Sequence, residues 1–330
     1  RGMITKMLGD TLPMPPPLKP PAALAGRYPA ASQALHDTAV TDVRLRDVRF
    51  HTSADLTGSD ARSKDPDYSI VYAEVTFHRP ARGSTPAWSA VGVGISFSLG
   101  RGTELLLAAC RLLARGLKGL TLGQVAENFS GAWRRITGVD DGQLVWMGPE
   151  KGPVHQASAA LVNAVWDGWA KHEGVPVWQL VASLPPEQLA AAIDVTGIQD
   201  AVGSQADVAA TLVKAAAGKA ARVEELHEEG VACYTTATGW AGYPDDKVRS
   251  LIGAALAEGF TQFKMKVGLG RESDLRRGRL IRQMLDEHAA TLAAHASGKA
   301  GGGNAAGGGG GNDGGNGSAC SGVNDGGAYG

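Results

Sequence analysis

Two lysines separated by one residue, Lys264 and Lys266, lie in the run Phe-Lys-Met-Lys-Val at residues 263–267. Around them Thr261, Phe263, Met265 and Val267 fall on one face of an extended segment, and Gln262, Lys264 and Lys266 on the other. What two amines do here turns on their setting. Parallel strands are covered on both faces, so in a parallel sheet both ammonium groups would leave bulk water unless they line a site. On an edge strand the same lysines face solvent and guard the sheet against further pairing. Lysine is rarely buried, so an arbitrary K-x-K strand is more often of the second kind. Spacing alone leaves both readings open.

The flanking elements speak for a sheet with helices. Val248, Leu251, Ile252, Ala255 and Leu256 repeat with the i, i+3, i+4 spacing of an amphipathic helix. Pro244 and Asp245 suit its start and Gly259 its end. After the lysine segment, Leu280, Ile281, Met284 and Leu285 resume helical spacing. Helix, glycine turn, strand and helix predict β/α repetition around a parallel sheet.

The 330 residues are 43% hydrophobic, which gives room for two domains with a sizeable core. A formal charge of −1 argues against electrostatic binding of nucleic acid. Cys110, Cys233 and Cys320 are odd in number and far apart, so neither a disulfide framework nor a zinc site is expected, and a reducing compartment such as the cytoplasm is. No apolar run approaches the roughly 20 residues of a membrane-spanning helix, so a soluble protein without a membrane partner is expected. Residues 1–39, with a Pro-rich run from Met14 to Pro21, lack amphipathic period and read as a disordered leader. Few acids together with Arg1, Lys6, Lys19 and Arg27 also allow a transit peptide, which would direct the chain to a mitochondrion or another organelle.

From Val40 the pattern becomes globular. Val43, Leu45 and, after a slip, Val48 and Phe50 are expected to point inward from a first strand; Ile70–Phe77 and Ala90–Phe97 supply two more. The polar stretch from His51 to Tyr68 is long for a connection, and such loops are more often functional than idle. Helices are predicted at Thr103–Arg115, Leu122–Ile136 and Pro153–Lys171, the last with Leu161, Val162, Val165, Trp166 and Trp169 on one stripe. Three strands followed by helices predict an α+β domain over 40–185. Beyond it come a short strand at Ile193–Ile198, an Ala-rich helix at Gln205–Glu229 broken at Gly218, and a strand at Val231–Thr236. Residues 298–330 are almost all Gly, Asn, Ala and Ser and cannot bury enough apolar surface to order themselves.

The stretches V-R-L-R-D-V-R-F, G-S-D-A, D-P-D-Y-S, G-P-E-K-G-P-V-H, N-A-V-W-D, Y-T-T-A-T-G-W-A-G-Y and F-K-M-K-V-G run in this order from about Val40 to about Leu285. Together they resemble the L-fuconate dehydratase family of the enolase superfamily, in its mandelate racemase/muconate lactonizing enzyme branch. The resemblance implies the fold class α/β. An α+β capping domain at 40–185 would precede an incomplete (β/α) TIM-type barrel at 186–297, with a disordered Gly-rich tail at 298–330. Catalytic groups in such barrels sit at the C-terminal ends of strands. Lys266 matches the lysine that removes the proton α to a carboxylate, and Lys264 the lysine that contacts substrate. Gly58, Ser59, Asp60 and Tyr68 match substrate-contacting positions of a capping-domain loop that closes over the substrate. The implied reaction is Mg2+-dependent dehydration of an L-fuconate-like sugar acid to a 2-keto-3-deoxy sugar acid. The implied partner is that small molecule, with homo-oligomers left open.

The sequence also departs from the family. Asp194-Val-Thr-Gly-Ile198 stands where the family has D-F-R-Y-I. The carboxylate metal ligands of later barrel strands and a late histidine acid have no counterpart, so no residue of this chain is assigned to metal. Pro149, Glu150, Lys151 and His155 are read as a helix start, and Asp286, Glu287, His288 and His295 as helical residues outside any strand-end site. These departures predict a shortened chain inactive by itself. The alternative function is a non-catalytic remnant that binds a sugar acid or a protein.

Overall fold

The structure, a computed structural model, describes residues 32–139, 143–147, 152–195 and 197–301, with side chains described up to residue 294 except at Val145. The expectations for residues 1–31, for Pro149–Lys151 and for most of the Gly-rich stretch lie outside these residues. Within the expected leader, α1 (Gln33–His36) forms a single helical turn, because the Ser32 side chain caps it and Leu35 is buried.

Strands β1 (Ala39–Arg49), β2 (Ser69–Arg79) and β3 (Trp88–Ser98) make an antiparallel sheet in the order β1-β2-β3. In β2 the period of two is plain: Ser69, Val71, Ala73, Val75 and Phe77 are buried, and their neighbours less so. In β1 the slip comes earlier than expected, between Val40 and Asp42, after which the register runs unbroken. Val43 and Leu45 therefore pair with Val75 and Ala73 over the core, while Val48 pairs with Ile70 on the opposite face. Phe50 falls beyond the strand and is 43% exposed, contrary to the inward position expected of it.

The long helix α5 (Pro153–Glu173) covers this sheet together with α2 (Thr103–Leu113). Pro153 starts α5 and Gly174 ends it in the left-handed conformation. Its stripe of Ala157, Ala160, Leu161, Ala164, Val165 and Trp169 is buried. The helix backbone sits directly on β3, where a Cβ at Gly94 would lie 2.0 Å from the Ala160 carbonyl oxygen. The same helix satisfies the sheet edge: Val93 N–H donates to Asp167 (2.7 Å), and Lys171 donates to the Val91 carbonyl (2.8 Å). The helix expected over Leu122–Ile136 is two, α3 (Leu122–Glu127) and α4 (Phe129–Thr137), because the Asn128 side chain accepts from Gly131 N–H and caps the second. α6 (Val177–Ser183) and α7 (Pro186–Ala191) follow, and one apolar cluster runs from Leu35 to Leu184.

Further along lie α8 (Gln199–Val202), α9 (Gln205–Ala216) and α10 (Lys219–Glu228), the last two separated at Gly218 as expected. Neither α9 nor α10 buries a residue. Then α11 (Asp245–Ala257) and α12 (Arg271–Gly301) pack on each other around Tyr243, Val248, Ile252, Leu280 and Ile281. The strands expected at 193–198, 231–236 and 261–267 are not regular strands among the described residues. Thr235 and Phe263 form one parallel bridge, with Lys264 N–H on the Thr235 carbonyl (2.9 Å) and Thr235 N–H on that of Gln262 (3.0 Å). Among the described residues these two segments have no third strand beside them and so little ladder to extend, which leaves one bridge between helices in place of the expected strand pair. The architecture is mixed α/β, and among the described residues the regular sheet lies in the first part of the chain.

Two glycines separate packing from propensity. Gly94→Ala should cost about 3 kcal/mol, since the helix must lift off the strand. Gly253→Ala, on the exposed side of α11 with open space around it, should gain about 0.5 kcal/mol. Urea unfolding of both variants checks this, and equal midpoints would contradict the close approach of α5 to β3.

Candidate functional site

The loop between β1 and β2 is built from its base outward. Phe50 N–H bonds to the Tyr68 carbonyl (2.9 Å), and Thr52 donates its hydroxyl to the Pro66 carbonyl (2.6 Å). The Ser53 hydroxyl and amide both donate to the Asp67 carboxylate, at 2.7 and 3.1 Å, and hold its pKa below the usual carboxylate range. The base of the loop is thereby fixed to the sheet.

Its tip reaches the second apolar cluster, where Leu56 packs. Ser59 is 1% exposed; its carbonyl accepts from Ala241 N–H (3.0 Å), and its hydroxyl accepts from Gly242 N–H (2.8 Å) while donating to the Leu56 carbonyl (2.7 Å). Beside it the Thr57 and Tyr243 hydroxyls share a hydrogen bond of 2.7 Å. The Lys247 ammonium donates to the Asp55 carbonyl (2.9 Å) and lies 3.8 Å from the Tyr243 ring centroid. Gly58 is buried at φ +84, and a Cβ there would fall within 2.6 Å of the Tyr68 ring.

This docking brings side chains from two parts of the chain together. Asp60 is half-buried; the Ser63 and Arg62 amides donate to one of its oxygens at 2.7 and 2.8 Å. Those bonds hold its carboxyl below the usual range, and the charges of Lys266 and Arg62 act in the same direction. Burial pushes the Tyr68 hydroxyl up, and the Asp60 charge adds to that. The Tyr68 ring stands edge-on to Trp240, with centroids 6.4 Å apart, and the Lys266 ammonium lies 5.5 Å from the Trp240 centroid. Asp60, Tyr68, Trp240 and Lys266 thus form one half-open neighbourhood carrying an amine, a carboxylate and a phenol. Lys264 is exposed.

The lysine segment is held by backbone contacts. Lys266 N–H bonds to the Gly239 carbonyl (2.9 Å), and Gly239 approaches so closely that a Cβ would sit 2.4 Å from the Lys264 oxygen. On the reverse face, Met265 and Val267 line an open groove of about 780 Å³ with Asp286 and Glu287 of α12, so those two carboxylates lie away from Asp60 and Tyr68. His155 is on the first turn of α5, at the helix start expected of it.

No protein-family model matches the chain. It is 42% identical over 246 residues to mitochondrial enolase superfamily member 1 of Bos taurus, covering 74% of this chain and 53% of that protein. Against L-galactonate dehydratase of Hypocrea jecorina the identity is 42% over 252 residues, covering 76% of this chain and 53% of the other. The crystal structure of human mitochondrial enolase superfamily member 1 aligns with a TM-score of 0.68 at 40% identity, covering 75% of this chain and 54% of that one. Over this span the chain belongs to the enolase superfamily. It spans about half the length of the curated relatives it matches.

Mg2+ is the cofactor that the family resemblance implies. No three His, Cys, Asp or Glu among them gather closely enough to hold a metal ion. The described residues do not fit the cation, and no step is assigned to it. No helix among them is long and apolar enough to cross a membrane.

Trp240 and Arg277 have no part in the sequence reading of the site. Trp240 sits within the Y-T-T-A-T-G-W-A-G-Y stretch, and its ring meets Tyr68 and Lys266 through the tertiary fold. Arg277 carries a usable signal: it precedes Leu280 and Ile281 by three and four residues, which puts a charged side chain on the buried stripe of α12.

Asp60 titrates lower in the folded chain than in the unfolded one. Its stabilisation is therefore complete above the ordinary carboxylate range and is lost as pH falls through the folded value. Intrinsic-rate-corrected hydrogen exchange at the Arg62 and Ser63 amides should be constant from about pH 7 to 5 and accelerate only below about pH 4. Acceleration already near pH 6 would contradict the assignment.

Proposed function

We propose that this chain carries the loop-bearing and base-bearing part of a sugar-acid dehydratase. In this reading Lys266 is the base that takes the proton α to the substrate carboxylate. Asp60 and Tyr68 border the sugar acid from the loop side, held there by the buried Gly58–Ser59 turn, and Lys264 contacts it from the side of the base. The observation that carries the reading is the Lys266 amine 5.5 Å from the Trp240 ring centroid, with the Tyr68 ring edge-on to the same indole and Asp60 near enough for the lysine charge to lower its pKa.

The chemistry follows from those groups. A proton α to a carboxylate is weakly acidic, so a base has to be held in register with it, and a half-buried amine on a segment pinned by Gly239 meets that need. The proton passes to the neutral amine of Lys266, the electron pair it leaves forms a double bond to the neighbouring carbon as the carbon–oxygen bond there breaks, and the departing hydroxyl takes a proton from solvent to leave as water. The enol that results ketonises to a 2-keto-3-deoxy sugar acid. Mg2+ enters this reading only as the cofactor that the family resemblance implies; the described residues do not hold it, and no step is routed through it. The identity shared with L-galactonate dehydratase supports a sugar acid as substrate, an L-fuconate-like one being the expectation from the motifs. The names of the bovine and human relatives support the mitochondrion as destination over the cytoplasm. The 40–185 and 186–297 divisions are read as the capping domain and the start of the barrel.

The test is exchange of the substrate α-proton with deuterated solvent, followed by proton NMR on the full chain with sugar acids and Mg2+. Lys266→Ala should lower exchange by about a thousandfold. Lys264→Ala should raise the substrate concentration needed for half-maximal exchange by about tenfold. Undiminished exchange in Lys266→Ala would remove that lysine from the mechanism.

A further inference from the structure

Arg277, on α12, is 3% exposed, which is unusual for an arginine. Its guanidinium spends its donors on three main-chain carbonyls. One nitrogen donates to Lys266 (2.9 Å), and the other to Gly239 (3.1 Å) and Trp240 (2.7 Å). Lys266 N–H in turn donates to the same Gly239 carbonyl (2.9 Å). Burial pushes the Arg277 pKa down from the ordinary arginine range, with Asp274 opposing the shift, and the group stays charged because arginine starts so high. Its Nε finds no partner, so the side chain is not placed to satisfy itself.

We infer that Arg277 is a positioning residue: its guanidinium ties the main chain of Lys266 to that of Gly239 and Trp240 and so sets the Lys266 amine against the Trp240 ring. The fork geometry suits this task. A planar guanidinium offers several donors in fixed directions and can hold carbonyls from two segments at once, whereas an ammonium is a single point with a shorter reach. The two segments meet at the K-x-K run on one side and at the docking partner of the 51–68 loop on the other. Arg277 therefore couples the lysine not only to Trp240 but, through the Ala241 and Gly242 amides, to Ser59 and the loop. Its neighbour Arg276 does nothing of the kind; it is exposed and pairs with Asp245.

The inference rests on the reading of Lys266 as the base for its mechanistic meaning, and its test has a readout independent of turnover. Lysine amines of the full chain are reductively methylated with 13C, and the Lys266 signal is assigned by its absence in Lys266→Arg. Near the Trp240 face it should be displaced by the ring current from the other lysine signals. In Arg277→Met this displacement should collapse, in Arg277→Lys it should fall part-way, and in the control Arg276→Met it should be unchanged. Circular dichroism reports whether each variant is folded; if Arg277→Met is not, Arg277→Lys decides. In the α-proton exchange assay the same variants should lose rate at least tenfold with half-saturation little changed, and guanidinium at millimolar concentration should restore part of it to Arg277→Met. An unchanged Lys266 signal in a folded Arg277 variant would overturn the positioning role whether or not Lys266 is the base. Undiminished exchange in Lys266→Ala, with the signal moving as expected, would overturn the base assignment alone.

Discussion

The site depends on one junction, where the Ala241 and Gly242 amides close on the carbonyl and hydroxyl of Ser59. The serine is buried, so these bonds are formed away from competing water, and an unmade partner there would carry the cost of a desolvated polar group, about 1–3 kcal/mol. The junction converts a long connection between two strands into a bridge to the second apolar cluster. Gly58 permits the turn that precedes it, and Tyr68 packs against that turn with its hydroxyl on the Gly58 carbonyl. Asp60 and Tyr68 stand near Lys266 because Ser59 is held where it is.

The two ends of that bridge rest on different supports. At the base, the sheet and α5 form a closely packed unit, since Gly94 lets a helix backbone sit against a strand and the helix side chains fill the open strand edge. Such a unit is a rigid mount for the 51–68 loop. At the tip, the mount is the smaller cluster between α11 and α12, with Arg277 drawing the main chains of 239–240 and 266 together. Between these supports, α9 and α10 bury nothing, and local opening there would leave both ends of the bridge intact.

What the sequence makes legible follows from the range of the forces involved. The alternation in β2 and the stripes of α5 and α11 are local, and they read correctly because each is set by a single buried face. The place of the β1 bulge and the break at Asn128 depend on one residue's hydrogen bonds, which periodicity does not report. The strands at 231–236 and 261–267 show the opposite failure. Their apolar pattern is present, with Phe263 and Met265 facing the cluster, but a ladder needs neighbours and these segments have one bridge. Of the site, family resemblance singles out Lys266, Asp60 and Tyr68, and the fold brings those three near one another. Ser59 is placed at the junction with its hydroxyl committed to the main chain, a role only tertiary contact reveals.

The central claim, that the 51–68 loop docks on the 240–243 segment in solution, is most directly tested at the Thr57–Tyr243 hydroxyl pair, 186 residues apart in sequence and 2.7 Å apart in space. A double-mutant cycle of Thr57→Val and Tyr243→Phe, read by urea unfolding, isolates that contact from the packing around it. Docking predicts a coupling energy of about 1 kcal/mol. Strictly additive effects, with no coupling beyond measurement error, would mean that the loop tip and Tyr243 do not meet, and the site as described would not exist.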